Sequence, residues 1–169
     1  VYGIGAIITA FGYWGVSIFL FLSGYGLMKQ YERRMGEYLV DFLRNRVLSV
    51  YMLNVTLIVL YTCEKLFLGV DVCGREAIES FLYGGTVVRN GWYLQMIVLM
   101  YILFYFSFKY VRQDSQKILS VFLGTIVYCI VCLLLGLGST WYECMLCFPL
   151  GLMFAKEETP IDPILANKY

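Results

Sequence analysis

ILSVFLGTIVYCIVCLLLGLGSTWYECMLCFPLGLMFA, residues Ile118 to Ala155, carries a single charge, Glu143. As one straight helix it would run to about 57 Å, against a hydrocarbon core of about 30 Å. The stretch therefore has to turn back on itself. Gly136-Leu-Gly-Ser-Thr140 is the part of it with turn chemistry, so helices are expected near 118–137 and 141–155, the latter holding Pro149 and Gly151.

Working outward, Gly91–Phe108 has no charge, and Val47–Gly69 is uncharged up to Glu64. Each is long enough to span a bilayer. Val1–Met28 is also uncharged, and as a helix it would reach about 42 Å, too long for one straight span. Gly12 and Gly15 mark the expected turn, leaving Val1–Ala10 as a helix stub and a span near 11–28. Composition agrees: 60% of the 169 residues are hydrophobic and 15% charged, where a soluble domain carries about 25% charged residues. The mean hydropathy is +0.72, more apolar surface than one soluble core of this length hides. The expected class is an all-α polytopic membrane bundle: about five spans, an N-terminal stub and one interfacial helix, in a single membrane domain over 1–169. A net charge of +1 excludes nucleic acid as a partner.

Basic residues give an orientation. Lys29, Arg33, Arg34, Arg44, Arg46, Lys109, Arg112, Lys117, Lys156 and Lys168 fall on one side; only Lys65, Arg75 and Arg89 fall on the other. The positive-inside rule puts the first group, and with it residues 29–46 and 109–117, in the cytoplasm. Within 31–46, Met35, Tyr38, Leu39, Phe42 and Leu43 recur at helical spacing with charges around the rest of the wheel. That pattern predicts an amphipathic interfacial helix.

The chain has no histidine, which removes the commonest general base and metal ligand. Cys129-x-x-Cys132 and Cys144-x-x-Cys147 outline a four-thiolate site, but their gap is shorter than usual and thiolates are costly in hydrocarbon. They read as packing residues, and no metal is expected. Polar residues inside spans are better markers, because each needs a partner or water. Asn54 is expected to bond between helices, while Glu64 and Lys65 reach interfacial water. Gln95 and Glu143 are either interfacial or line an outward-facing polar cavity, where a carboxylate can orient an acceptor hydroxyl. Arg44 and Arg46 either meet lipid headgroups or fork onto the phosphates of an anionic cytosolic donor. Trp14, Trp92, Tyr93, Trp141 and Tyr142 read as an outer aromatic belt. Ser23-Gly-Tyr-Gly26 reads as a close-packing motif or as backbone opening onto a cavity.

Gly12-Tyr-Trp-Gly15-Val-Ser-Ile-Phe-Leu-Phe-Leu-Ser-Gly-Tyr-Gly-Leu27 resembles the signature of the acyltransferase-3 family of integral membrane acyltransferases. The basic Phe42-Leu-Arg-Asn-Arg46 before a span and the Trp92-Tyr-Leu94 opening of a later helix are similar to that family in the same order. The resemblance implies acyl transfer, with acetyl the expected group, from cytosolic acyl-CoA to a hydroxyl of an extracytoplasmic glycan or glycolipid, in a bacterial cytoplasmic membrane. It implies no cofactor beyond the donor substrate. By motif match it makes Arg44 and Arg46 donor-binding and gives Gly15, Ser23, Gly24 and Trp92 structural roles.

In the family an arginine and a histidine precede the signature, the histidine being the expected base. Val1–Ala10 contains neither, and Val47–Tyr51 lacks the usual proline. The chain is therefore read as an internal fragment, inactive by itself, whose catalytic base lies upstream of Val1; Glu143 is the candidate within it. The rival readings are a piece of a glycan transporter or flippase and a non-catalytic membrane subunit.

Overall fold

The computed structural model describes residues 4–34, 37–70, 74–83 and 92–157. All the regular elements among them are helical: α1 (Ile4–Arg34), α2 (Glu37–Val40), α3 (Ser49–Phe67), α4 (Gly74–Tyr83), α5 (Trp92–Tyr110), α6 (Asp114–Leu134) and α7 (Cys147–Glu157). A π-helical stretch, Leu43–Leu48, runs straight into α3, and a 3₁₀ turn, Ser139–Trp141, lies between α6 and α7. The chain divides into two compact units, one of residues 1–38 with 111–169 and the other of residues 39–110.

Among the described residues, three helices are long and apolar enough to cross a membrane: Leu43–Phe67, Trp92–Tyr110 and Asp114–Leu134. The expectation of about five spans is corrected accordingly. At 141–155 the chain spends its first residues in turns, and α7 has 11 residues, about 16 Å of helix. At 11–28 the structure has neither a turn nor a separate span. Gly12 and Gly15 sit inside the continuous 31-residue α1, whose apolar residues are diluted by Gly12, Gly15, Ser17, Ser23, Gly24 and Gly26. The interfacial helix expected over 31–46 is also replaced. Its start belongs to α1, residues 35–36 lie outside the described set, and the remainder is the four-residue α2 and the π stretch.

α3 and α6 carry many of their apolar side chains outward, while α5 buries most of its own. Leu119, Leu123, Val127, Ile130 and Leu134 of α6 are all exposed, with Leu134 at 82%. An exposed apolar surface of that extent is stable in lipid and not in water. The protein is an integral membrane protein.

In the first unit α7 lies along α1, and the contact is made through glycines. A Cβ on Gly24 would overlap the carbonyl oxygen of Phe148 and lie 3.1 Å from its carbonyl carbon and 3.2 Å from Leu152 N. Reciprocally, a Cβ on Gly151 would overlap the carbonyl oxygen of Phe21 and lie 3.0 Å from Tyr25 N. Small residues on both helices thus let the backbones touch, the usual route to tight association between helices that gain nothing from excluding water. Phe154 caps the contact against Phe21 and Tyr25, with ring centroids 5.7 and 6.4 Å apart.

The turn after α6 is of the expected kind. Gly136 has φ +67°, the left-handed conformation that favours glycine. Leu137 N donates to Cys132 O at 3.0 Å and Gly136 N to Leu133 O at 3.1 Å, a Schellman closure that satisfies the last carbonyls of the helix.

Lys117, just ahead of the span expected near 118–137, is in the first turns of α6 and is only 8% exposed. Its Nζ donates to Tyr31 Oη at 2.9 Å and to Asp114 Oδ1 at 2.6 Å, tying the start of α6 to the end of α1. Lys117→Met is expected to lower the thermal midpoint by an amount corresponding to about 1 kcal/mol, modest because Asp114 is largely exposed. A double-mutant cycle with Tyr31→Phe checks this, and strictly additive losses would show that the two do not couple.

Candidate functional site

In the unit of residues 39–110, Phe42 is the anchor. It is 1% exposed, stacks on Tyr105 at 6.2 Å and packs on Phe104 at 5.4 Å and on Tyr101 edge-on at 6.0 Å. This aromatic cluster fastens the start of the π stretch to the C-terminal half of α5. Aromatic pairs in such geometries contribute about 0.5–1.5 kcal/mol each beyond their buried area. The wider π turn then presents Arg44 and Arg46 in a register that an α-helix would not give, and such turns recur at functional sites. Arg44 is exposed and paired only loosely with Asp41 at 3.3 Å. Arg46 is half-buried. Lys109, which sequence reasoning used only for orientation, donates to Tyr105 Oη at 2.8 Å on the same aromatic patch. Its signal was available as a basic residue one helical turn after Tyr105.

Further along the same helix pair is a cavity of about 270 Å³, lined by Tyr51 and Asn54 from α3 and by Leu94, Gln95, Val98 and Ile102 from α5. Gln95, expected as an acceptor-side residue, is therefore a cavity residue. Its Nε2 also donates to Ser80 O of α4 at 3.4 Å. Asn54 is 2% exposed. The expected bond between helices is not made among the described residues: neither its Nδ2 nor its Oδ1 has a hydrogen-bond partner there. Trp92, at the start of α5, packs edge-on against Tyr93 at 6.1 Å.

Glu143 belongs to the other unit. It is exposed, in the turns between the 3₁₀ stretch and α7, with its backbone N bonded to Ser139 O at 3.1 Å. Nearby, Ser17 Oγ of α1 donates to Cys144 Sγ at 3.1 Å, and Cys129 Sγ donates to Tyr142 O at 3.8 Å. Among the described residues no three His, Cys, Asp or Glu side chains gather as a metal site. Cys73, Arg89 and Lys168 lie outside the described residues.

The signature residues separate by role. Gly24 is a backbone contact and Ser23 is half-buried, whereas a Cβ on Gly15 would meet nothing within 4 Å.

The model of the acyltransferase-3 family, described as an acyltransferase domain, matches residues 1–162. The chain belongs to that family, and its activity by homology is acyl transfer. Neither the curated proteins nor the solved structures contain a significant match to the chain.

Proposed function

We propose that the protein transfers an acyl group, acetyl as the first choice, from cytosolic acyl-CoA to a hydroxyl of an extracytoplasmic glycan or glycolipid in a bacterial cytoplasmic membrane. The family match over residues 1–162 carries this reading. The rest is chemistry. The acceptor oxygen attacks the thioester carbonyl, the C–O bond forms, the C–S bond breaks, and coenzyme A leaves as its thiol with the proton from the hydroxyl. Arg44 and Arg46, with Lys109 on the same aromatic patch, supply fixed positive charge for the donor phosphates, and residues 29–46 and 109–117 are then cytoplasmic. Gln95 and Glu143 serve the acceptor side, Glu143 as a hydroxyl-orienting carboxylate.

The test uses membranes from cells making the protein and from cells lacking its gene. Acetyl-CoA labelled in the acetyl group should put base-labile ester label on surface glycan only in the former. Glycan appearing outside with no dependence on acyl-CoA would overturn the reading in favour of a transporter.

A further inference from the structure

We infer that Cys144 and Cys147 form a redox pair, a dithiol that closes into a disulfide by exchange with a soluble disulfide. Where that reactant is found rests on the orientation proposed above: with residues 109–117 cytoplasmic, the span α6 carries the chain across and leaves the turns ahead of α7 on the outer side. Disulfides form and persist in such compartments.

The backbone already has the shape. Cys147 N donates to Cys144 O at 3.1 Å, and a turn closed in this way holds its first and fourth Cα within about 7 Å, the reach of a disulfide. The sulfurs converge as well. Ser17 Oγ of α1 donates to Cys144 Sγ at 3.1 Å and also lies within hydrogen-bond reach of the Cys147 thiol, so one hydroxyl gathers both.

Accessibility divides the roles. Cys147 is half-buried, while Cys144 is 7% exposed. Glu143 and Leu146 beside them are exposed, and a carboxylate belongs in water, so an aqueous reactant reaches the turn. The Cys147 thiolate attacks the reactant's S–S bond, which breaks, and one half leaves as a thiolate. The Cys144 thiolate then attacks the Cys147 sulfur of the mixed disulfide, the new S–S bond joins the two cysteines, and the other half leaves. The two thiol protons end on the two departing thiolates; the pair loses two electrons and the reactant gains them. Because the second step is intramolecular, the buried Cys144 never has to meet the reactant.

Burial pushes the Cys147 thiol up, with Cys144 adding to the shift and Ser17 pulling against it. The dithiol form thus gains nothing from a stabilised thiolate, and the disulfide persists once made. The ring closes over residues 144–147 alone, too short a loop for much entropic stabilisation, so the pair suits reversible exchange more than stapling. Cys129 and Cys132 make the contrast. They lie within the span α6, Cys132 is 2% exposed, and the Cys129 thiol donates to Tyr142 O.

The experiment is thiol trapping on the full chain in nanodiscs, equilibrated in glutathione buffers from reduced to oxidised. Samples are quenched with acid, denatured, alkylated and mapped by peptide mass spectrometry. Oxidised buffer should abolish alkylation of Cys144 and Cys147 together and give one internally bridged peptide, leave Cys129 and Cys132 alkylated, and be reversed by dithiothreitol. Cys144→Ser should hold Cys147 as its mixed disulfide with glutathione, whereas Cys147→Ser should leave Cys144 alkylated. Full alkylation of the pair in oxidised buffer, loss of one thiol without the other in the parent protein, or bridging through Cys129 or Cys132 would each overturn the inference. Trapping in intact cells tests the compartment separately: a pair that bridges in nanodiscs and stays a dithiol in cells would sink the proposed orientation and leave the redox pair standing. Acetyl transfer to surface glycan by a protein whose pair never bridges would do the reverse.

Discussion

Gly24→Leu is expected to leave almost no folded protein, and Gly24→Ala to lower the thermal midpoint clearly, while Gly15→Ala in the same helix leaves it unchanged or slightly raised. A Cβ on Gly24 would overlap a backbone carbonyl oxygen of α7, with further backbone atoms at 3.1 and 3.2 Å. Backbone has no rotamer to retreat into, so α1 and α7 must separate. Separation would also undo the reciprocal seat of Gly151 and the Phe154 packing on Phe21 and Tyr25. Overpacking of a tight contact costs about 1–3 kcal/mol and occasionally more, whereas alanine in place of a helical glycine gains only about 0.5–1 kcal/mol. The clash therefore wins at Gly24. At Gly15 a Cβ meets nothing within 4 Å, so only the propensity gain remains. Thermal unfolding of the detergent-solubilised protein, followed by size-exclusion, measures the contrast; equal midpoints for the two alanine variants would show that this helix contact does not hold the unit together.

Those two glycines show what a sequence yields and what it withholds. Both belong to one recognisable signature; the sequence reads Gly15 as a turn residue and Gly24 as close packing or backbone opening onto a cavity, and a local reading has little beyond the lowered helix propensity of glycine to choose by. Whether a glycine breaks the chain or admits a second helix is decided by residues far away, here Phe148 and Leu152. Gly136 was legible because its neighbours made the length argument for it: an apolar stretch of that extent must reverse, and a left-handed glycine closes it. The spans α3, α5 and α6 were legible for the same reason, since hydropathy over some twenty residues is a statement about solvent. The span expected at 141–155 was not, because an apolar stretch can be turns and a short helix when another helix covers it, as α1 covers α7.

The candidate site divides along the same line. Arg44 and Arg46 were visible as charges at the head of a span and Gln95 as an amide within one, but the π turn that carries the arginines was not. It depends on Phe42 finding Tyr101, Phe104 and Tyr105 on a helix distant in sequence. Asn54 was visible as a polar residue within a span, and the natural expectation gave it an interhelical bond. That its buried carboxamide meets no partner among the described residues is a matter of how α3 packs, which has no trace in the stretch itself.

Replacing Arg44 and Arg46 together by glutamine is expected to raise the dissociation constant for acetyl-CoA by about 100-fold, with each single change giving about 10-fold. Hydrogen bonds to charged groups contribute about 1.5–3 kcal/mol each, and tenfold corresponds to about 1.4 kcal/mol; the lower end applies to Arg44, whose side chain is 72% exposed. The fold should be indifferent. The Arg44 pair with Asp41 at 3.3 Å is a surface ion pair of the kind that contributes about 0–1 kcal/mol, and Phe42, not the arginines, anchors the π stretch. Salt separates electrostatics from packing: raising ionic strength should weaken acetyl-CoA binding by the parent protein and barely affect the double variant. Lysine at both positions should restore only part of the affinity, because an ammonium cannot fork onto a phosphate as a guanidinium does. Calorimetric titration of the protein in nanodiscs measures all four variants on one scale. An unchanged dissociation constant in a double variant with the parent's thermal midpoint would return these arginines to the lipid headgroups and leave donor recognition to be sought elsewhere in the protein.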